Sequence, residues 1–442
     1  MSVKVGLISL GCDKNLVDSE FMLGILKKHN YVITNKEKDA DVIIVNTCGF
    51  IESAKQESID TILEMAQYKN TGNCKLLIAT GCLAQRYKET LLEEIPELDA
   101  VVGTGEFYRI HEVIQRLNGS KVNLTENSNF VNFDIKNRVR IYPYISFVKI
   151  AEGCSNHCSY CAIPFIRGPY RSREIAAIKE EVEMLVSDGV KEINLVAQDT
   201  TNYGVDIYGK PALSRLLEEL IKIEGEFWIR ILYAYPTNID DGLLDLIESG
   251  PKIAKYLDIP LQHINDRILK LMNRPTDSRF IKRLIERIKN KIPDIALRTT
   301  FIVGFPSETE REFEELLDFV KQYQFDRVGA FKYSEEEGTR AANIEPKIRE
   351  RIKNHRYRKL MQLQRTISGT KNAGLRGKVI RVLAERLDRK TNLFIGRSER
   401  DAPFVDGVVS FYGPNCRPGN VYPVKILQTY DYDLVGEAVE ER

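Results

Sequence analysis

The stretch AEGCSNHCSYCAIPFIRG, residues 151–168, holds an unusual share of the thiols of this chain. The chain has 8 cysteines in 442 residues, and three of them, Cys154, Cys158 and Cys161, lie together here. The stretch follows a strand-like apolar run at 145–150 and contains the Gly, Ser and Asn residues typical of loops. Three closely spaced thiols directly after a strand predict a metal-binding or redox loop.

The spacing Cys-x3-Cys-x2-Cys is one thiol short of four. Zinc sites usually have four ligands, often from paired Cys-x2-Cys units, and the nearest fourth candidate, His157, is adjacent to Cys158 and poorly placed to share its metal. A 4Fe-4S cluster held by three thiolates keeps one iron open to bind a substrate or cofactor. The spacing therefore favours an iron-sulfur cluster over zinc.

Downstream of this loop, strand and helix patterns alternate. Segments such as SREIAAIKEEVEMLVSDG and ETEREFEELLDFVKQY have the helical period. Six consecutive β/α units predict an open, partial TIM-like barrel, whose working face is the carboxyl end of its strands. The apolar runs that predict its strands are 145–150, 192–196, 228–233, 256–260, 296–303 and 328–332.

Upstream, three further apolar runs lead into SLGC, VNTC and ATGC, which end at Cys12, Cys48 and Cys82. The alternation of these runs with helical patterns predicts an open parallel α/β sheet. Parallel strands place their carboxyl ends at one edge, so we expect the three thiols to converge. The predicted strands are 3–10, 41–45 and 75–79, and the predicted helices between them are 16–29 and 53–67.

The overall composition is that of an ordinary globular protein. At about 150 residues per domain the length predicts about three domains, and 64 basic against 63 acidic residues give a net charge of +1. No global field therefore attracts nucleic acid or a membrane surface. The start, MSVKVGLISLGC, lacks a signal-peptide pattern, and no run of 18 apolar residues occurs, so we expect a cytoplasmic protein. Its thiols are then candidate ligands, not disulfides.

The last third of the chain changes character. From Lys347 to Arg381 there are 12 Lys and Arg residues and one acid, Glu350, which indicates either a solvated helix face or a polyanion-binding segment. A polar stretch at 119–143 predicts a linker. Short β-like runs over the final ~65 residues predict a small antiparallel β-barrel of OB-like kind. With 12 basic and 10 acidic residues from position 371 onward, that barrel is weakly basic for an RNA-binding module.

GCSNHCSYCAIP is similar to the signature of the radical S-adenosylmethionine (SAM) enzymes. The resemblance implies that the open iron binds the amino and carboxylate groups of SAM. Reductive cleavage of SAM would then give a 5′-deoxyadenosyl radical, which suits attack on a C–H bond that no side-chain base can deprotonate.

The second cysteine set, ahead of this core, and the small barrel behind it resemble the methylthiotransferases of that superfamily over essentially the whole chain. In that family the set matched here by Cys12, Cys48 and Cys82 holds an auxiliary 4Fe-4S cluster that carries the sulfur to be inserted. One SAM methylates that sulfur, and a second yields the radical that removes a substrate hydrogen. The implied domains are a methylthiotransferase domain at 2–118, a radical SAM core at 140–369 and a TRAM domain at 371–439.

Two branches of this family compete. Four motifs resemble the RimO-like branch, which modifies an aspartate β-carbon of small-subunit ribosomal protein S12, more than the MiaB-like branch, which modifies a tRNA adenosine. They are SLGCDKNLVDSE, NTCGFIESAKQESID, YLDIPLQH and GRSERDAPFVDGVV. Asp13, Ser307 and Phe404 depart from the common RimO-like pattern. The resemblance implies that the partners are this ribosomal protein, free or in the small subunit, and an electron donor such as flavodoxin or ferredoxin, with tRNA as the disfavoured alternative substrate and no membrane. The alternative outside the enzymes is a non-catalytic iron-sulfur module that binds the ribosome.

The resemblance also suggests cofactor contacts at strand ends of the presumed active face. Gln198 and Asp199 would lie near the methionine end of SAM, and Gly304 would let the backbone approach the adenosine. Ordinary turn chemistry is an equal alternative for these residues. Arg298 and Thr300 would face the same cavity, with Thr299 and Phe301 facing away.

The remaining polar signals are weaker. Cys74 and Cys416 stand outside the strand-end pattern and are expected to be structural thiols. His263 is either a substrate contact or a hydrogen-bonded core residue. Tyr160 either shields the cluster or packs near the adenine.

Overall fold

The computed structural model describes residues 2–116, 121–126 and 135–440, which form two compact units. The first unit comprises Met1–Ile141, Lys149–Arg173 and Ser334–Ala342, and the second comprises Tyr142–Val148, Glu174–Tyr333 and Asn343–Arg442. Parts of the predicted linker 119–143 and the end of the predicted domain 2–118 lie outside the described residues. The domain limits 2–118, 140–369 and 371–439 stay predictions.

The described residues form the following elements. The strands are β1 (Lys4–Ser9), β2 (Val32–Ile33), β3 (Val42–Thr47), β4 (Leu76–Gly81), β5 (Ala100–Val102), β6 (Val122–Leu124), β7 (Ile145–Lys149), β8 (Ala151–Glu152), β9 (Arg171–Ser172), β10 (Glu192–Val196), β11 (Trp228–Ile231), β12 (Ile253–Asp258), β13 (Ala296–Val303), β14 (Arg327–Lys332), β15 (Val379–Asp388), β16 (Leu393–Ser398), β17 (Val409–Tyr412), β18 (Val421–Thr429) and β19 (Leu434–Ala438). The α-helices are α1 (Asp13–Lys28), α2 (Glu52–Ala66), α3 (Tyr68–Thr71), α4 (Cys82–Glu94), α5 (Ile110–Arg116), α6 (Ile163–Arg167), α7 (Ile175–Ser187), α8 (Val205–Tyr208), α9 (Leu213–Leu220), α10 (Asp241–Ser249), α11 (Asp266–Leu271), α12 (Ser278–Lys291), α13 (Glu310–Tyr323) and α14 (Glu350–Ala373).

The first unit is built on a parallel sheet in the order β2-β1-β3-β4-β5-β6. Ile43 and Val45 of β3 pack into the same core as Ile62 of α2, and the alternate residues Val42 and Ile44, on the other face of the strand, are also buried. Helices covering both faces of a parallel sheet explain why its strands read as continuous apolar runs. The predicted α/β sheet is confirmed, and its carboxyl edge carries the ends of β1, β3 and β4 side by side.

The second unit contains a six-stranded sheet that follows chain order, β7-β10-β11-β12-β13-β14. The pairings from β10 to β14 are parallel, and helices connect the strands. Each of the six predicted strands is present, and the sheet is open among the described residues. The predicted partial barrel is therefore confirmed.

The same unit ends in a closed barrel in the order β15-β16-β17-β19-β18. Its interior is filled by alternate residues of its strands, including Val382, Phe394, Phe411, Val424 and Ile426. All pairings are antiparallel except β17 with β19, which is parallel. This agrees with the predicted small barrel, with one parallel pairing that short apolar runs do not reveal.

The 24-residue helix α14 lies entirely within the basic stretch 347–381 and forms most of it. The basic side chains of this helix differ in exposure. Arg356 is buried and pairs with Glu308 at 3.0 Å, whereas Arg351 and Arg358 are exposed. Among the described residues, no helix combines the length and the apolar character that crossing a membrane requires.

Candidate active site

Three strand-end loops of the first unit bring Cys12, Cys48 and Cys82 together. Gly11 adopts a φ of +86°, and a Cβ added there would lie 2.8 Å from the Cβ of Cys48 and 3.2 Å from its Sγ. A Cβ added to Gly49 would lie 2.8 Å from the backbone nitrogen of Leu83. The loops therefore pack so closely at the carboxyl edge of the sheet that a side chain larger than glycine would not fit at either position.

Asn15, in the first turn of α1, holds these loops in register. Its side-chain amide donates to the carbonyl oxygens of Leu10 at 3.0 Å and Thr47 at 2.9 Å. Its side-chain oxygen lies 3.7 Å from the Sγ of Cys82. The side chain of Asn46 donates to the backbone oxygen of Asn15 at 2.8 Å. One buried amide therefore links all three thiol-bearing loops.

The electrostatic setting of these thiols combines burial with compensating positive charge. Burial raises the pKa of the Cys48 thiol to about 12 and also raises the pKa of the Cys82 thiol, while the guanidinium of Arg167 acts against both increases. Cys12 is the N-cap of α1 and Cys82 is the first residue of α4. Helix N-termini and a neighbouring arginine stabilise thiolate, the form that binds metals.

The loop that carries Cys154, Cys158 and Cys161 is closed at its base by the antiparallel pair β8 and β9. The backbone N–H of Cys154 donates to Gly168 O at 3.1 Å, and that of Cys161 donates to Cys158 O at 3.1 Å. Gly153 has a φ of +76°, and a Cβ there would lie 2.1 Å from Pro169 O. Only glycine fits at this position.

Residues 334–342 of the same unit support the far side of this loop. The backbone N–H of Ala341 donates to Ser159 O at 2.8 Å, and the guanidinium of Arg340 donates to His157 O at 2.9 Å. His157 is exposed and has a φ of +50°. Tyr160 is half-buried.

Both cysteine sets have the donor chemistry of iron-sulfur sites. All eight cysteines are free, and each set offers three soft thiol ligands on closely held loops. Within the described ranges, no three His, Cys, Asp or Glu side chains surround a single metal-ion position. In a three-thiolate 4Fe-4S cluster each thiolate binds a different iron, so the ligands need not surround one point, and the donor chemistry of both sets fits such clusters.

A buried network of charged side chains, which the sequence did not indicate, lies next to the N-terminal thiols. It consists of Asp18, Lys149, Glu152 and Arg167, all in the first unit. The only sign of this network in the sequence is within residues 151–168, where the charged residues Glu152 and Arg167 flank an otherwise apolar and cysteine-rich loop. Their partner Asp18 lies more than a hundred residues away in sequence, so pattern reading could not pair them.

In the second unit, Gln198 and Asp199 follow β10. Asp199 is buried and accepts hydrogen bonds from the backbone of Asn202 at 3.1 Å and from the Thr201 hydroxyl at 2.8 Å. This is the turn chemistry that the sequence offered as the alternative. A contact of either residue with SAM stays a prediction.

Arg298 and Thr300 lie on one side of β13, since a Cβ added to Gly329 would lie 3.3 Å from the Arg298 guanidinium and 3.4 Å from the Thr300 hydroxyl. Arg298 pairs with Asp406 at 2.6 Å and lies 3.7 Å from Asp258. The structure thus engages Arg298 in ion pairs with carboxylates. Thr299 and Phe301 alternate with these residues and are fully buried.

Gly304 begins a turn that the surrounding side chains fill. It has a φ of +71°, its N–H donates to Glu308, and a Cβ there would lie 2.5 Å from the Lys353 side chain. Glu308 also lies 3.3 Å from Nε2 of His263, whose Nδ1 accepts from the backbone of Asn265 at 3.0 Å. Since Nδ1 is an acceptor, Nε2 carries the proton and donates to Glu308. His263 is therefore a buried, hydrogen-bonded core residue.

Cys74, Cys416 and Phe404 lie outside the two cysteine sets. Cys74 is buried and its thiol lies 3.4 Å from Leu76 O, and Cys416 packs against the core of the terminal barrel. Phe404 is 59% exposed with a φ of +66°, and its ring lies 4.7 Å from that of Tyr142.

Three family models match the chain in succession. They are "Uncharacterized protein family UPF0004" at residues 4–103, "Radical SAM superfamily" at 148–320 and "TRAM domain" at 377–439. Together they span both cysteine sets and the terminal barrel.

Several relatives carry the name ribosomal protein uS12 methylthiotransferase RimO. The protein of Caldicellulosiruptor saccharolyticus is 52% identical over 442 residues, which cover 99% of this chain and 100% of the relative. The protein of Geobacter sulfurreducens is 50% identical over 440 residues, which cover 99% of this chain and 98% of the relative.

Solved structures with the same fold are more distant in sequence. The radical S-adenosylmethionine methyltransferase TsrM from Kitasatospora setae, with cobalamin and a 4Fe-4S cluster bound, matches with a TM-score of 0.55 at 13% identity and covers 75% of this chain and 72% of its own. The apo cobalamin-dependent radical enzyme OxsB matches with a TM-score of 0.55 at 13% identity, covering 83% and 56%. These likenesses show the fold alone.

Proposed function

The chain belongs to the RimO family of radical SAM methylthiotransferases, and from this membership we propose that it adds a methylthio group to the β-carbon of an aspartate of ribosomal protein uS12. The observation that carries the proposal is identity of about half of all positions over the full length of both chains. The separation of six free thiols into two sets of three supports the same chemistry.

We assign the cofactors of the family, two 4Fe-4S clusters and SAM, to this chain as follows. Cys154, Cys158 and Cys161 would hold the cluster that binds SAM, and Cys12, Cys48 and Cys82 would hold the auxiliary cluster. Gln198, Asp199, Arg298, Thr300 and Gly304 are proposed to line the SAM site. When bound, the two clusters and SAM would pass on the electron of an outside donor, form the organic radical and carry the sulfur, chemistry that side chains alone do not provide.

The chain's own residues contribute position and electrostatics. The backbone hydrogen bonds of Cys154 and Cys161 hold the loop in a closed form, and the N-termini of α1 and α4 stabilise thiolate at Cys12 and Cys82. The hydrogen bonds of Asn15 hold the loops of the N-terminal set together. No general acid/base pair is needed for attack on an aspartate C–H bond.

Two further assignments complete the proposal. Reduction requires an outside electron donor, for which a flavodoxin or a ferredoxin is suited. A ribosomal-protein substrate and oxygen-sensitive clusters suit the cytoplasm.

The proposal is tested by anaerobic reconstitution of the purified chain, followed by incubation with SAM, a reductant and either uS12 or bulk tRNA. We expect release of 5′-deoxyadenosine, and mass spectrometry should find a methylthio group on one aspartate of uS12. Modification of a tRNA adenosine with uS12 untouched would establish the MiaB-like activity instead. Metal binding without any 5′-deoxyadenosine would show a non-catalytic iron-sulfur module and overturn the proposal.

A further inference from the structure

We propose that Arg167 is a positioning residue that sets the reduction potential of the N-terminal cluster and fixes the SAM-cluster loop to it. This inference rests on the proposed function, because it requires a cluster at Cys12, Cys48 and Cys82. Arg167 is the last residue of α6, six positions after Cys161.

The contacts of Arg167 converge on the N-terminal thiols. Its Nη2 lies 3.5 Å from the Sγ of Cys82 and donates to Oδ1 of Asn15 at 2.6 Å. Its Nη1 donates to Oε1 of Glu152, two residues before Cys154, at 2.7 Å. One planar guanidinium therefore contacts a thiol of one set, the amide that organises that set, and the start of the loop that carries the other set.

Arg167 belongs to a buried network of two cations and two acidic side chains. Lys149 donates to Asp18 at 2.5 Å and to Glu152 at 2.6 Å, and Nη2 of Arg167 lies 3.5 Å from Asp18. The side chains of Lys149 and Arg167 are only 1% exposed. Charges in such a poorly hydrated position interact more strongly than the same charges in water.

The position of this charge predicts an effect on the cluster. A reduced cluster carries one more negative charge than the oxidised one, and a fixed cation at 3.5 Å from one of its thiolates stabilises the reduced form. Arg167 therefore raises the reduction potential of the N-terminal cluster, and Glu152, which is paired with that cation, lowers it. Removing each charge should shift the potential in opposite directions.

Two matched variants separate this electrostatic role from simple structural support. Arg167→Gln removes the cation, and Glu152→Gln removes the neighbouring anion at nearly the same volume. Arg138→Gln is the control, because its guanidinium is equally buried in the same unit and pairs with Glu20 at 2.5 Å. Arg167→Lys keeps the charge and loses the planar fork.

The experiment is a redox titration of the full-length chain followed by electron paramagnetic resonance. Cys154, Cys158 and Cys161 are replaced by Ala in every sample, so that only the N-terminal cluster contributes. We expect a fall in the midpoint potential for Arg167→Gln, a rise for Glu152→Gln and little change for Arg167→Lys or Arg138→Gln. Iron content, at about four per chain in this background, reports whether each variant is loaded.

Shifts of the same sign in Arg167→Gln and Glu152→Gln, or no shift in loaded protein, would overturn the inference. If Arg167→Gln does not load a cluster, the Glu152→Gln variant alone tests the inference: a rise in its midpoint potential supports the inference, and a fall or no change overturns it. Failure of the proposed function would look different, since the unmodified chain would then not load about eight irons or would not cleave SAM.

Discussion

The side-chain amide of Asn15 donates a hydrogen bond of 2.9 Å to the carbonyl oxygen of Thr47, the residue directly before Cys48. A second bond from the same amide reaches Leu10 O, two residues before Cys12. Two loops from different strands are thus held by one side chain from the first turn of α1. The geometry of the N-terminal thiol set depends on this residue although it is not itself a thiol.

We expect Asn15→Ala to impair the N-terminal cluster selectively. The substitution leaves two carbonyl groups without their donor, at a cost of about 1–3 kcal/mol for each buried group. Iron in the reconstituted full-length chain should fall from about eight toward about four per chain, while SAM cleavage persists. Asn70→Ala, on the exposed surface of the same unit, is the control and should keep the full iron content. A full iron content in Asn15→Ala would show that the three loops keep their positions without the hydrogen bonds of Asn15.

A second prediction concerns Gly81, which precedes Cys82 and has a φ of +90°. A Cβ there would lie 2.3 Å from Oδ1 of Asn46 and 2.6 Å from Thr47 O, so Gly81→Ala must displace the β3 loop. Gly189 has a similar φ of +92° with nothing within 4 Å of an added Cβ. Gly189→Ala therefore incurs only the conformational cost, about 1–2 kcal/mol. Unfolding titrations should show a larger loss of stability for Gly81→Ala than for Gly189→Ala. Iron content should show that only Gly81→Ala loses the N-terminal cluster.

Most of the fold could be predicted because its strands are long, buried apolar runs. The strands missed in the first unit are β2, β5, β6, β8 and β9, which have two or three residues each and are too short to show a period. The thiols could be placed at one sheet edge because parallel order alone determines that edge. Asn15 and Arg167 could not be assigned, because their contact joins residues 152 positions apart and nothing local distinguishes them from ordinary polar residues.

A third prediction separates stability from the loading of the iron-sulfur clusters. In the second unit Glu192 is fully buried and pairs with Arg230 at 2.7 Å and with Arg397 at 2.6 Å. Glu192→Ala leaves two buried cations without this partner, and losing one member of a buried ion pair costs about 3–5 kcal/mol. None of the six proposed ligands lies in this unit, so iron per folded chain should not change.

The control for this variant is Glu180→Ala, which alters an exposed residue of α7 and should leave the denaturant midpoint where it is. A fall in iron content that parallels the stability loss of Glu192→Ala would contradict the independence of the two properties.

The final prediction concerns the division of labour between the two thiol sets. Cys158→Ala removes a ligand from the loop proposed to bind SAM, and we expect it to abolish release of 5′-deoxyadenosine. Cys48→Ala removes a ligand from the other set, and it should spare that cleavage while stopping methylthio transfer to uS12. Cys74→Ala is the matched control, because this thiol is buried in the core of the first sheet, lies 3.4 Å from Leu76 O and belongs to neither set. It should keep both activities. Equal loss of cleavage in Cys158→Ala and Cys48→Ala, each measured in folded protein, would mean that the two sets act as a single site.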